Sequence, residues 1–220
     1  MRGVDMKRYL KWLLAGFGVI VIGVAGFVFA FYRSMQPDPD EEAKVMKMAE
    51  SYVLERFKDA EVTEDVLFDN MGNFPFEYAA IVVDSVTGTE FYVYENESTG
   101  EIVDTFLSSK WEDAVTEAIE DSIDTAFGAD VTYVVLYDEE SIRQLDVSSA
   151  NPIAYQTADV SPTIILTLHR EPEADDEERV RTWMSALQEN DILKRAEIRV
   201  DYTAKNGELL DDGTGLDLSF

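Results

Sequence analysis

Three rhythms of apolar and polar positions follow one another along this chain. From Trp12 to Tyr32 no charged residue interrupts the apolar run, whose middle reads LLAGFGVIVIGVAGFVFAF. About 20 apolar residues at roughly 1.5 Å rise cross a hydrocarbon core of about 30 Å, so residues 12–32 are predicted to be a transmembrane helix. Beyond it apolar residues return every three or four positions in three places. Val45, Met48, Ala49, Tyr52, Val53 and Phe57 predict a helix over 41–58. Trp111, Val115, Ala118, Ile119, Ile123 and Phe127 predict a second, opened by a capping box at Ser109-Lys110-Trp111-Glu112 and closed by Gly128. Val180, Trp183, Met184 and Leu187 predict a third over 173–189.

The third rhythm is short and strand-like. It covers 62–68, 76–84, 89–95 and 101–106, then 131–137, 163–169 and 195–204. Residues 76–84 are apolar on both faces and read as a central strand. Turn signals at Val86-Thr87-Gly88 and Ser98-Thr99-Gly100 join the first four into an antiparallel meander. Asn206-Gly207 predicts a hairpin returning through Glu208 to Leu210, and 139–145 predicts a helical turn or two. The predicted fold class is α+β: an N-terminal transmembrane helix, then an extracellular domain of antiparallel sheet packed with about three helices, in two lobes meeting near Ser108. The divisions are a basic tail 1–11, the span 12–32 as a signal anchor and an acidic stalk 33–41 held extended by Pro37 and Pro39. A first lobe 42–107, a second lobe 108–210 and a loose tail 211–220 follow.

Charge gives the span a direction. Arg2, Lys7, Arg8 and Lys11 precede it, and Asp38, Asp40, Glu41 and Glu42 follow Arg33. The positive-inside rule places the N-terminus in the cytoplasm and the C-terminal domain outside the cell membrane. The competing reading is a cleaved signal peptide ending after Ala30, although the run is longer than a usual signal core. Gly18, Gly26 and Ala30 lie near one helical face, a small-residue pattern that would pair two copies in the bilayer; common membrane-helix composition explains the same residues.

Residues 34–220 hold 13 basic and 44 acidic residues, a net of −31. Nucleic acid is thereby excluded as a partner, since its affinity rests on Lys and Arg neutralising phosphates. Three readings of the acidity stand: a solvated surface, adaptation to salt, or attraction of cationic partners or divalent ions. The chain has no cysteine, so it has no disulfide, thiolate metal site or thiol nucleophile.

No catalytic residue, cofactor site or metal site stands out. His169, the single histidine, sits at a strand end. A carboxylate pair would serve a hydrolase, the alternative to a non-catalytic domain, but 44 acids do not single out two of them. Residues 211–217, DDGTGLD, look like a calcium loop but lack its spacing. Among Phe74, Phe76, Tyr78, Phe91, Tyr92 and Tyr94, most are expected to be sheet packing. The loop Gly72-Asn73-Phe74-Pro75-Phe76 sets rings among turn residues and is the expected binding surface for a protein or peptide partner outside the cell.

A helix, the strand FEYAAIVVD at 76–84 and the segment TEFYVYENESTGEIVD at 89–104 resemble a PepSY-type module over residues 44–106. The resemblance implies an extracytoplasmic binding or regulatory domain, sometimes associated with peptidases, and not an enzyme. The layout of basic tail, single span and acidic domain is also similar to that of exported proteins of Gram-positive bacteria. Neither resemblance assigns functional residues.

Overall fold

The charge-free run forms one helix, α1 (Met6–Ser34), in a computed structural model that describes residues 6–128, 130–145, 147, 149–204, 206–208, 210 and 215–220. Its stretch Gly16–Arg33 is long and apolar enough to cross a membrane, and none of it is buried against the rest of the chain. Side chains such as Ile22 and Phe27 are exposed.

Residues 35–38 alone separate α1 from α2 (Pro39–Arg56), so the extended stalk predicted over 33–41 is shorter than its composition suggests. Pro39 is the first helical residue, where its missing N–H costs nothing. Asp38 caps the helix by accepting the Asp40 N–H at 2.9 Å, and Asp40, Glu41 and Glu42 sit in the first turn, where the helix dipole favours acids. The prolines and acids that read as a stalk are thus a helix start.

Four strands follow: β1 (Ala60–Phe68), β2 (Tyr78–Asp84), β3 (Glu90–Glu95) and β4 (Ile102–Asp104), all antiparallel and adjacent in chain order. On one face Ala80, Val82, Phe91 and Val93 pack on Ala49 and Val53 of α2. On the other, Ala79 and Tyr94 pack with Phe76.

Helix α3 (Phe106–Phe127) starts earlier than the capping box at Ser109 predicts. The Phe106 ring packs between Phe57 and Phe91, at 5.2 and 5.1 Å, and Asp104 accepts the Phe106 N–H at 3.0 Å. Burial of that ring and an acceptor for the first free N–H carry the helix back to the end of β4. Glu112 does not close a capping box; it accepts the Tyr137 N–H at 2.8 Å. Trp111, Val115, Ile119 and Ile123 are buried as their spacing predicts, whereas Ala118 falls outside the buried stripe. Gly128 caps the helix at φ 83°, a conformation that favours glycine.

A second sheet has the order β5 (Val131–Leu136), β6 (Thr163–Leu168), β7 (Glu197–Tyr202), β8 (Leu216–Ser219). A short helix α4 (Glu139–Arg143) and a 3-10 turn at Tyr155–Thr157 lie between β5 and β6, and α5 (Asp176–Glu189) lies between β6 and β7. Two features differ from the sequence expectation. β6 and β7 pair in parallel, because α5 returns the chain to the end from which β6 began. Residues 216–219 are not loose: they form β8, with Leu216 opposite Val200 and Leu218 opposite Ile198. From Leu107 onward α3 shares one core with α5 and the inward side chains of β6 and β7.

Candidate functional site

The five residues expected to form a surface divide between surface and core. Asp69 accepts the N–H groups of Met71 at 3.0 Å and Phe74 at 2.8 Å and the Asn73 amide at 3.1 Å. Partial desolvation opposes ionisation, but these donors outweigh it and hold the Asp69 carboxyl below the usual range. Gly72 takes a positive φ of 73° at the bend. Gly72, Asn73, Phe74 and Pro75 are exposed. Phe76 is not: it lies beneath Phe74, with ring centroids 5.2 Å apart, and against Tyr94 at 4.5 Å. Residue 76 is a core position: two residues before β2 begins, its ring packs with Ala79 and Tyr94 on one face of the sheet. The same loop meets the end of α1, where the Asn70 amide lies 3.2 Å from the Met35 sulfur.

A second concavity of about 260 Å³ opens where α2, β4, α3 and α4 converge. Two acids and two arginines line it: Asp104 from β4, Glu139 and Arg143 from α4, and Arg56 from the end of α2. Ile102, Leu107, Ile142 and Val147 supply apolar wall. Asp104 accepts the Tyr52 hydroxyl at 2.7 Å, the Ser149 hydroxyl at 2.6 Å and the Phe106 N–H. Burial, and then the Asp104 charge, raise the Tyr52 hydroxyl well above its ordinary pKa, so it donates to Asp104 as a neutral group. Arg56 sits 4.6 Å over the Tyr52 ring, and Arg143 donates to the Tyr94 hydroxyl at 3.4 Å.

Glu139 is the unusual acid of this cleft. Burial pushes its carboxyl up to about 7, against the Ser108 hydroxyl and Arg143, which favour the ionised form; Glu112 and Asp104 raise it further. The Ser108 oxygen touches Glu139 Oε1 and also lies 2.8 Å from the Thr105 carbonyl. A serine has one proton, so if it serves the carbonyl, a proton on Glu139 completes the other contact.

Ion pairs among the described residues involve Lys44, Arg170, Arg179, Arg181, Arg195 and Arg199. Arg56 and Arg143 belong to none of them. In a chain with 45 acids, two guanidinium groups facing one cavity with no carboxylate at ion-pair distance among the described residues mark it out. Sequence reasoning missed this cleft because its residues come from four elements and form no motif. The available signal was the scarcity of cations, which makes each arginine informative.

His169 and a further acidic cluster are engaged by protein contacts. His169 bridges Thr203 Oγ1 at 2.7 Å and Thr132 Oγ1 at 3.4 Å across the second sheet. Glu173, Asp175 and Asp176 bring ligand oxygens within 4.8 Å of one another, but Arg170 and Arg179 already pair with all three. Of the calcium-like segment, 211–214 lie outside the described residues, and Leu216 and Asp217 belong to β8. Gly18, Gly26 and Ala30 lie along α1. No protein-family model matches the chain, and no curated protein matches it.

Proposed function

We propose that this chain is a single-pass membrane protein whose acidic α+β domain lies outside the cell and binds a small ligand bearing an anionic group in the cleft between α2, β4 and α4. The observation that carries the reading is the pair Arg56 and Arg143, which line one cavity outside every described ion pair. Guanidinium forks are suited to bidentate recognition of carboxylate or phosphate. On this reading residues 44–106 are a PepSY-like binding lobe and 108–210 a second lobe, with the cleft at their junction. The anchor is α1, retained with its N-terminus in the cytoplasm, as the basic residues before Trp12 favour. Exposed Met71 and Phe74 beside Met35 then face the bilayer interface, and we assign the 72–75 loop to the membrane surface in place of a protein partner.

The alternative of a hydrolase draws on the same cleft, since Asp104 and Glu139 are a carboxylate pair with one member raised. Asp104 is poorly suited to act as base or nucleophile, because both its oxygens already accept hydrogen bonds. Binding is therefore the preferred reading.

The absence of cysteine makes topology directly testable. Single substitutions Gly3→Cys and Ser98→Cys, probed on intact cells with a membrane-impermeant maleimide, should label only the second. Labelling of the first from outside, or a mature N-terminus at Phe31 by mass spectrometry, overturns the anchor. For binding, the full chain in lipid nanodiscs should gain thermal stability with millimolar 4-methylpentanoate. The doubly substituted Arg56→Gln, Arg143→Gln protein should not. Equal response of the two proteins removes the cleft as the site.

A further inference from the structure

We propose that the ligand of this cleft is a zwitterionic amino acid with a small apolar side chain, held by its carboxylate on Arg56 and Arg143 and by its ammonium on Glu139. The inference rests on the binding reading above and adds the class of ligand. A site for a plain anion has no use for acids. Here Asp104 and Glu139 stand in the same cavity as the two arginines, so the lining is mixed in sign. Asp104 is committed through both oxygens to Tyr52, Ser149 and the Phe106 N–H, whereas among the described residues Glu139 is engaged through Oε1 alone, by Ser108, which leaves it as the acid available to a cation.

The third component is apolar. Ile102, Leu107, Ile142 and Val147 give the ligand a dry side, and Leu107 and Ile142 are themselves buried. A cavity of about 260 Å³ lies below the range of drug-sized sites, roughly 300–1,000 Å³, and suits a solute the size of one amino acid. Cationic, anionic and apolar walls in one small concavity match the three parts of such a molecule: carboxylate, ammonium and side chain.

Proton exchange gives this arrangement a sign that a plain anion site lacks. Glu139 is faced by Ser108 and Glu112 from α3, Asp104 from β4, Tyr94 from β3 and Arg143 from its own helix, with Arg56 and Tyr52 across the cavity from α2. Burial holds its carboxyl near neutrality in the free protein. An ammonium brought beside it favours the ionised form, so binding expels the proton and tightens as pH rises. A carboxylate without an ammonium does the opposite, because ionised Glu139 competes for Arg143.

The test is calorimetric titration of the full chain in lipid nanodiscs at pH 6 and pH 8 with L-leucine, 4-methylpentanoate and 3-methylbutylamine. Leucine should bind at least tenfold tighter than 4-methylpentanoate at pH 8, and the amine should not bind. From pH 6 to pH 8 leucine should bind more tightly and 4-methylpentanoate more weakly, with leucine releasing protons in buffers of different ionisation enthalpy. Glu139→Gln should reduce the preference for leucine below threefold and abolish proton release. Arg143→Gln or Arg56→Gln should weaken both ligands at least tenfold. Equal affinity for leucine and 4-methylpentanoate refutes the amino-acid assignment and leaves the anion-binding cleft standing. Failure of both to bind at 10 mM refutes the two together.

Discussion

Single residues show where pattern and environment part company. Phe74 and Phe76 look alike in the sequence, two rings flanking a proline, yet Phe74 is 47% exposed and Phe76 is 3% exposed. Phe74→Ala should therefore cost under about 1 kcal/mol, and Phe76→Ala about 3–5 kcal/mol, by denaturant titration. Comparable losses at both sites would put Phe74 in the core as well. Asp176 is the opposite case: one of four consecutive acids, Asp175 to Glu178, at the start of α5, it is buried. It accepts both Arg170 guanidinium nitrogens, the Glu173 N–H and the Tyr202 hydroxyl. Burial alone would raise its carboxyl, but these donors win and hold it below the ordinary range. Its stabilisation is thus fully present above the unfolded value of about 3.9 and is lost as pH falls through the lower folded value. Asp176→Asn should cost about 3–5 kcal/mol at pH 7, because a partly buried Arg170 loses its counter-charge. The difference from the parent should shrink below about pH 4. A difference independent of pH would show that packing, not charge, holds this corner. Nothing in the spacing of Asp175 to Glu178 tells which of these acids turns inward, because that depends on where β6 delivers Arg170.

At the scale of elements, long periodic stretches were legible and short or junctional ones were not. α1, α5 and β2 fall close to where their patterns place them, α1 and β2 through continuous apolar runs and α5 through a stripe that defines one face. β8 has four residues, two of them leucine, and that is too few to show alternation. α3 starts at Phe106 and not at Ser109 because a valid capping signature at Ser109 competes with burial of Phe106, and burial of an aromatic ring outweighs a cap. The parallel pairing of β6 with β7 is a property of the connection through α5 and of no residue in either strand. β8 offers a direct check. Ending the chain after Gly215 removes Leu216, Leu218 and Phe220, all half-buried against the second core, and uncovers the edge of β7. At about 1 kcal/mol for each half-buried side chain the loss is about 3 kcal/mol. In a domain of this size that lowers Tm by about 6–12 °C in a thermal melt. An unchanged Tm would mean that the terminal strand contributes nothing to the second sheet. The cleft was illegible for the related reason that four elements must converge before its arginines and acids meet.

For the whole molecule the governing quantity is charge. Residues 34–220 carry a net of −31, and the ion pairs among the described residues engage only a minority of their acids. Like charges held at folded distances repel, and the unfolded chain relieves that repulsion by expanding. Salt shortens the reach of the repulsion: the Debye length is about 30 Å at 0.01 M, about 10 Å at 0.1 M and about 3 Å at 1 M. Tm should therefore climb steeply from low salt to about 0.1 M and level off before 1 M, where screening already acts within the spacing of neighbouring side chains. The shape of the curve separates the three meanings of the acidity. A plateau with NaCl, matched by MgCl₂ at equal ionic strength, is the signature of a solvated acidic surface and is the expected result. A rise continuing through molar NaCl would point to adaptation to salt, and a larger rise with magnesium at matched ionic strength would point to cation binding. A flat curve from the lowest salt onward would show that the acids lie too far apart to repel, and would remove electrostatic self-repulsion from the description of this fold.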